Sequence, residues 1–248
     1  LEQLAQIEAW RATRATAPVF EVLLEVGVAG GRTGVRLHDD ALALAQRLRG
    51  STAVRLVGIE CYEGLGVTGD TATDDASAAS LMARVSALAT ACDDAGLFED
   101  DEVVISAGGS AIFDLVASRM RLNLRRPVRG VLRSGCYVTH DHGHYRRMLD
   151  QVVQRCGCSE GLRPALEVWT TVQSAPEPGL AFLTGGRRDL SFDMELPRPV
   201  AIARAGSTVV EATDPAWKIN GLNEQQAKLR SNEGSATEIG WASSTLVV

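Results

Sequence analysis

Glu102–Ala117, EVVISAGGSAIFDLVA, is the stretch whose reading decides the fold. Val103, Val104 and Ile105 form a strand-sized apolar run, Ala107-Gly108-Gly109-Ser110 a turn, and Ile112, Phe113, Leu115 and Val116 recur at helical spacing. A strand therefore hands over to a helix. Paired glycines at such a junction let a ligand approach the backbone, and free N–H groups at the start of a helix favour an anion, typically a phosphate. Ser110 adds a hydroxyl donor. The competing reading is a tight turn with Ser110 as the helix N-cap, and this stretch alone leaves both open.

Working outward, the same grammar repeats. Phe20–Val26 (FEVLLEV) suits a central parallel strand and ends in Gly27-Val28-Ala29-Gly30-Gly31-Arg32-Thr33-Gly34, followed by a helix over 39–49. Arg32 is a candidate for holding a carboxylate, phosphate or phenolate, or else a surface arginine in a turn. Val54–Glu60 runs into Cys61-Tyr62-Glu63-Gly64, where the Tyr62 ring either faces a flat ligand or simply packs. A mobile loop is expected over 64–77 and a helix from about Ala78 to Ala95. Val128–Leu132 is the fourth strand, ending in Arg133-Ser134-Gly135-Cys136-Tyr137, and a helix follows over 146–155. Four strands alternating with helices, each ending in glycines and reactive side chains, predict part of a (β/α) barrel over residues 1–161.

From Leu162 the expected elements are strands alone: 165–174, 180–184, 190–192, 200–204 and 208–212, bounded by Pro- and Gly-rich turns. They predict a C-terminal β domain over 162–248, with 220–248 too weakly patterned to assign. His140, His142 and His144 beside Asp141 invite a zinc or manganese site, which fails if His144 already belongs to the helix.

Composition narrows the classes. The chain has 248 residues, a net charge of −6 and no basic cluster, which argues against nucleic acid. No apolar run reaches the length of a membrane span. Five cysteines, an odd number, point to reduced thiols and a cytoplasmic protein. Cys156-Gly-Cys158 lacks the second pair a zinc site needs. The chain opens at Leu1 in helical pattern, as a fragment would, and its only lysines are Lys218 and Lys228.

Taken in order, LLEVGVAGGRTGVR, GIECYEG, SAGGSAIFDLV, LRSGCYVTHD with Tyr145 beyond it, VQSAPEPGLAFLTGGRRDLSFDMELP and DPAWKINGLNEQQAKL resemble the D-serine dehydratase-like, or amino-acid deaminase, family. These are fold-type III pyridoxal-phosphate enzymes related to D-threonine aldolase and alanine racemase. The resemblance implies an alanine racemase-like (β/α)8 barrel, of which only the later strands are present, with a C-terminal β domain completing the site in a homodimer. Gly108, Gly109 and Ser110 match the phosphate-holding turn. Gly135, Cys136 and Tyr137 match the second loop near that phosphate, Arg32 the arginine at the cofactor's phenolic oxygen, and Tyr62 the aromatic group beside the ring. The implied reaction removes the α-proton of a D-amino acid, stabilises the carbanion on the pyridinium and eliminates the β-hydroxyl, giving a keto acid and ammonia.

The same comparison marks what the chain lacks. The Schiff-base lysine belongs to the first barrel strand, and neither Lys218 nor Lys228 matches it. The family histidine near the Glu/Asp-Gln pair is Gln226, and Ile239–Val248 stands where the segment with the divalent-metal ligands is expected. This chain alone is therefore not expected to be an active dehydratase. An aldolase or racemase of the same fold, and a non-catalytic pyridoxal-phosphate-binding relative, remain the alternatives.

Overall fold

The computed structural model describes residues 2–14, 16–204, 206–207, 210–213, 215–231 and 245–247, which divide into two compact units. One comprises 1–137 and 152–158; the other comprises 138–151 and 159–248.

In the first unit, α1 (Glu2–Ala12) precedes β1 (Phe20–Val26), α2 (His38–Arg49), β2 (Val54–Cys61), α3 (Thr71–Asp94), β3 (Val103–Ala107), α4 (Phe113–Ala117), a short 3-10 turn at Ser118–Met120 and β4 (Val128–Leu132). The four strands form one parallel sheet in the order β1-β2-β3-β4, the expected portion of a (β/α) barrel. One sheet face meets the helices: Leu24, Val26, Leu56, Ile59, Cys61, Val103, Ile105 and Ala107 bury themselves with Ala45, Leu81, Val85 and Leu88 of α2 and α3. Ile59 and Ile105 are fully buried, and truncating either to alanine costs about 2–5 kcal/mol. The opposite face is polar near the strand ends. Glu25 lies beside Glu60 in register, and Glu60 beside Ser106. Gly58 lets β2 and β3 approach, since a Cβ there would meet the Val104 carbonyl oxygen at 2.0 Å.

α5 (His144–Cys156) is shared between the units, its residues up to Gln151 belonging to the second and its last turn to the first. The second unit is built on a seven-stranded sheet in the order β8-β7-β11-β5-β6-β10-β9, all of whose pairs are antiparallel. Its strands are β5 (Trp169–Glu177), β6 (Leu180–Leu183), β7 (Ala201–Ala203), β8 (Val210–Ala212), β9 (Trp217–Leu222), β10 (Ala227–Ser231) and β11 (Thr245–Val247). Val172, Ala181, Leu183, Leu190, Ile202, Trp217, Ile219, Leu222, Ala227 and Leu229 form its core.

Several expectations need correction. The segment 64–77 is not all loop: α3 begins at Thr71, because the Asp70 side chain accepts the Thr73 N–H and caps the helix. Buried Asp74 then fixes the preceding turn by accepting the Thr68 N–H and hydroxyl and the Gly69 N–H. Ser110 is not an N-cap. The helix after the glycines starts only at Phe113, its N-cap position is Ile112, and no side chain caps it. Residues 190–192 form no strand; Leu190 closes a turn through its N–H to the Gly186 oxygen, and its apolar side chain serves the core. The strand expected at 165 begins at Trp169, and part of the segment expected over 208–212 lies outside the described residues. The weakly patterned tail contains β10, paired antiparallel with β6 and β9.

Candidate functional site

The C-terminal ends of β1 to β4 lie at one end of the parallel sheet, so the four following loops gather there. The loop after β1 is held from two sides. Gly27 donates to the Val35 oxygen and Val35 to the Glu25 oxygen, while Gly34 adopts a φ of 85°, open to glycine but strained for other residues. A Cβ on Gly34 would also meet Gly27 N at 2.4 Å. Arg36 donates to the Gly31, Thr33 and Gly34 carbonyls. Arg84 reaches across from α3 to the Gly27 oxygen at 2.8 Å and the Arg36 oxygen at 2.6 Å. This clasp presents Arg32, whose guanidinium carbon lies 5.8 Å from the centroid of the Tyr62 ring. Arg32 and Tyr62 line a small recess with Glu25, Val28, Thr33 and Leu65.

Tyr62, the first residue after β2, leads into Glu63, which is 7% exposed. Its two carboxylate oxygens accept the N–H groups of the glycine turn after β3: Gly108 N at 3.1 Å and Gly109 N at 2.6 Å. A Cβ on Gly109 would lie 2.9 Å from Glu63 Oε1 and 3.1 Å from Gly64 Cα, so a side chain there would press on the Glu63 carboxylate and the Gly64 backbone. Burial, then the nearby Glu63 charge, pushes the Cys61 thiol up to about 12, which keeps it protonated and inert as a nucleophile. Ser110 is buried just beyond the turn.

The loop after β4 closes on the same turn. Ser134 Oγ donates to the Gly109 oxygen at 3.2 Å, and Arg133 lies against Gly108. Arg133 also ties three strands together, donating from Nε to Ser106 Oγ (2.8 Å), from Nη2 to the Cys61 oxygen (2.8 Å) and pairing with Glu60 (3.1 Å). Tyr137 stacks on Phe113 of α4, with ring centroids 5.0 Å apart. Gly135 has open space around it and Cys136 is exposed.

The predicted residues thus form two groups: Arg32 with Tyr62, and the 108–110 turn with the 133–137 loop. Glu63 and Gly64 lie between them in the chain and touch the second. Glu63, Arg133 and Arg84 escaped the sequence reading. A polar residue just past a strand was the only available sign of the first two, and nothing marked Arg84 among helical residues. The histidine cluster does not assemble a metal site: His144 is the first residue of α5, and no group of three or more metal-capable side chains occurs among the described residues. Asp141 instead caps α5. Burial opposes its charge, but N–H donation from Tyr145, Gly143 and His144 holds its carboxyl below the usual range. Gln226 donates to Gln173 Oε1 at 2.6 Å, and 239–244 lie outside the described residues. Among the described residues no helix is long and apolar enough to cross a membrane.

The alanine racemase N-terminal domain family matches residues 1–130, and a family described as "Putative serine dehydratase domain" matches residues 165–244. No curated protein matches the sequence. Among solved structures, D-threonine aldolase from Filomicrobium marinum superposes with a TM-score of 0.66 at 22% identity, covering 98% of this chain and 58% of that one. D-threo-3-hydroxyaspartate dehydratase from Delftia sp. HT23 gives 0.58 at 21% identity, covering 98% and 62%. Alanine racemase of Clostridium difficile 630 gives 0.54 at 14% identity, covering 99% and 57%. At these identities the likeness is one of fold, and the chain spans about three-fifths of the length of each.

Proposed function

The chain belongs to the alanine racemase N-terminal domain family, and from that premise we propose that it binds pyridoxal phosphate and forms the later part of a D-amino-acid dehydratase acting on a D-serine-like substrate. The observation that carries the reading is the pair of amides at Gly108 and Gly109, both already aimed at one anionic group. A carboxylate is a fair stand-in for a phosphate edge, so the turn fits the cofactor's phosphate. The two family matches, one on each side of residue 150, supply the order of parts expected of such an enzyme.

In this reading Gly108, Gly109 and Ser110 bind the phosphate, with the loop of Gly135, Cys136 and Tyr137 beside it. The Tyr137–Phe113 stack stiffens that wall. Arg32, presented by its clasped loop, holds the phenolic oxygen, and Tyr62 orients the ring. Bound pyridoxal phosphate supplies the electron sink for a carbanion beside the substrate's amino group. A divalent metal for the leaving hydroxyl, a homodimer and a cytoplasmic location belong to the same proposal.

The test is to add pyridoxal phosphate to the full-length protein and follow visible absorbance, borohydride bleaching, and pyruvate and ammonia release from D- and L-serine. Bleachable absorbance with release from the D isomer is expected. Absence of cofactor binding overturns the reading, and cofactor binding with aldol cleavage or racemisation instead overturns its dehydratase part.

A further inference from the structure

We propose that Glu63 is a built-in counter-ligand of the anion cradle, which a phosphate must displace in order to bind; the inference rests on the reading of the 108–110 turn given above. Glu63 reaches the turn from 45 and 46 residues away in sequence, and both its oxygens are engaged there. It is nine-tenths buried, and among the described residues no arginine or lysine pairs with it. A buried carboxylate needs compensation, and here the compensation is the two neutral amides. The fit is close on both sides, since the space that a side chain at position 109 would need is filled by Glu63 Oε1 and Gly64.

The same two N–H groups cannot serve a phosphate while they serve Glu63. Two like charges at that distance repel in a site of reduced dielectric. The phosphate-binding form is therefore the one with Glu63 swung out, and the apparent affinity falls by the fraction of molecules in that form. The way out is short. Leu65 and Gly66 directly after Glu63-Gly64 are exposed, and Gly66 has a φ of 83°. Until a ligand arrives, Glu63 keeps the amides paired and the turn in shape.

The experiment uses the full-length protein with inorganic phosphate and, separately, pyridoxal phosphate as probes. Dissociation constants come from calorimetry, and site readouts from the amide signals of Gly108 and Gly109 and the carboxylate carbon of Glu63. In the unaltered protein the carboxylate and both amides should shift together with one dissociation constant. Glu63→Gln, a weaker acceptor, should bind phosphate about tenfold more tightly. Equal or weaker phosphate binding by a folded Glu63→Gln, or amides that shift while the carboxylate stays put, overturns the proposal and leaves the cofactor reading standing. Should Glu63→Gln fail to fold, the carboxylate signal of the unaltered protein decides. If neither probe moves the amides in either protein, the phosphate reading of the turn falls, and this inference with it.

Discussion

Removing Arg155 tests how the last turn of α5 is held against α4 within the first unit. Arg155, in the last turn of α5, pairs with Asp114 of α4 through Nε to Oδ2 at 2.7 Å and Nη2 to Oδ1 at 2.9 Å. The side chains are only 13% and 8% exposed, and the hydrogen bond to Asp114 pushes the guanidinium pKa up. Arg155→Met leaves a buried carboxylate with both acceptors orphaned, a loss of about 3–5 kcal/mol. With a urea m-value of about 2 kcal/mol/M, the unfolding midpoint should fall by roughly 2 M. The double variant Asp114→Leu/Arg155→Met removes both charges and should recover most of that loss, because apolar replacement of a buried pair is often neutral. Urea unfolding followed by far-UV circular dichroism, with unchanged slope, is the assay. A cost below about 1 kcal/mol for Arg155→Met would place the pair among exposed salt bridges and refute the reasoning.

Arg84→Ala takes the donor from the Gly27 and Arg36 carbonyls, and should weaken pyridoxal-phosphate binding several-fold in an absorbance titration by loosening the loop that presents Arg32. Tyr137→Ala and Phe113→Ala should show a coupling of about 0.5–1.5 kcal/mol in a double-mutant cycle from denaturant melts. Asp141 has a depressed carboxyl pKa, so its stabilisation is fully present above the unfolded value near 3.8 and is lost as pH falls through the lower folded value. Melting temperatures taken from pH 6 down to pH 3 should therefore fall less steeply for Asp141→Asn than for the unaltered protein.

The parallel strands were readable because each is rich in Val, Leu or Ile and gives way within a few residues to glycine, and the loops that gather at the site are those same glycine-bearing ends. The start of α3 was not, because Thr71-Ala72-Thr73-Asp74 looks like loop until Asp70 is recognised as its cap. Leu190 misled because burial in a turn and burial in a strand call for the same apolar side chain. In β9, exposed Lys218 and Asn220 do alternate with buried Trp217 and Ile219; the signal was short and lay in a stretch rich in polar residues. Glu63 and Arg133 were beyond reach for a different cause. Their partners are backbone groups and side chains of other strands, and no spacing along the chain records that meeting.

The gathering of four strand ends at one edge of the parallel sheet also bears on thermodynamic linkage. A ligand spanning the loops after β1, β2, β3 and β4 binds only when all four supersecondary units are assembled, so its binding energy opposes their separation. At a hundredfold excess over the dissociation constant such a ligand adds about 2.7 kcal/mol to the folded state. The cofactor that the loops would bind is then also a clamp on the sheet that carries them.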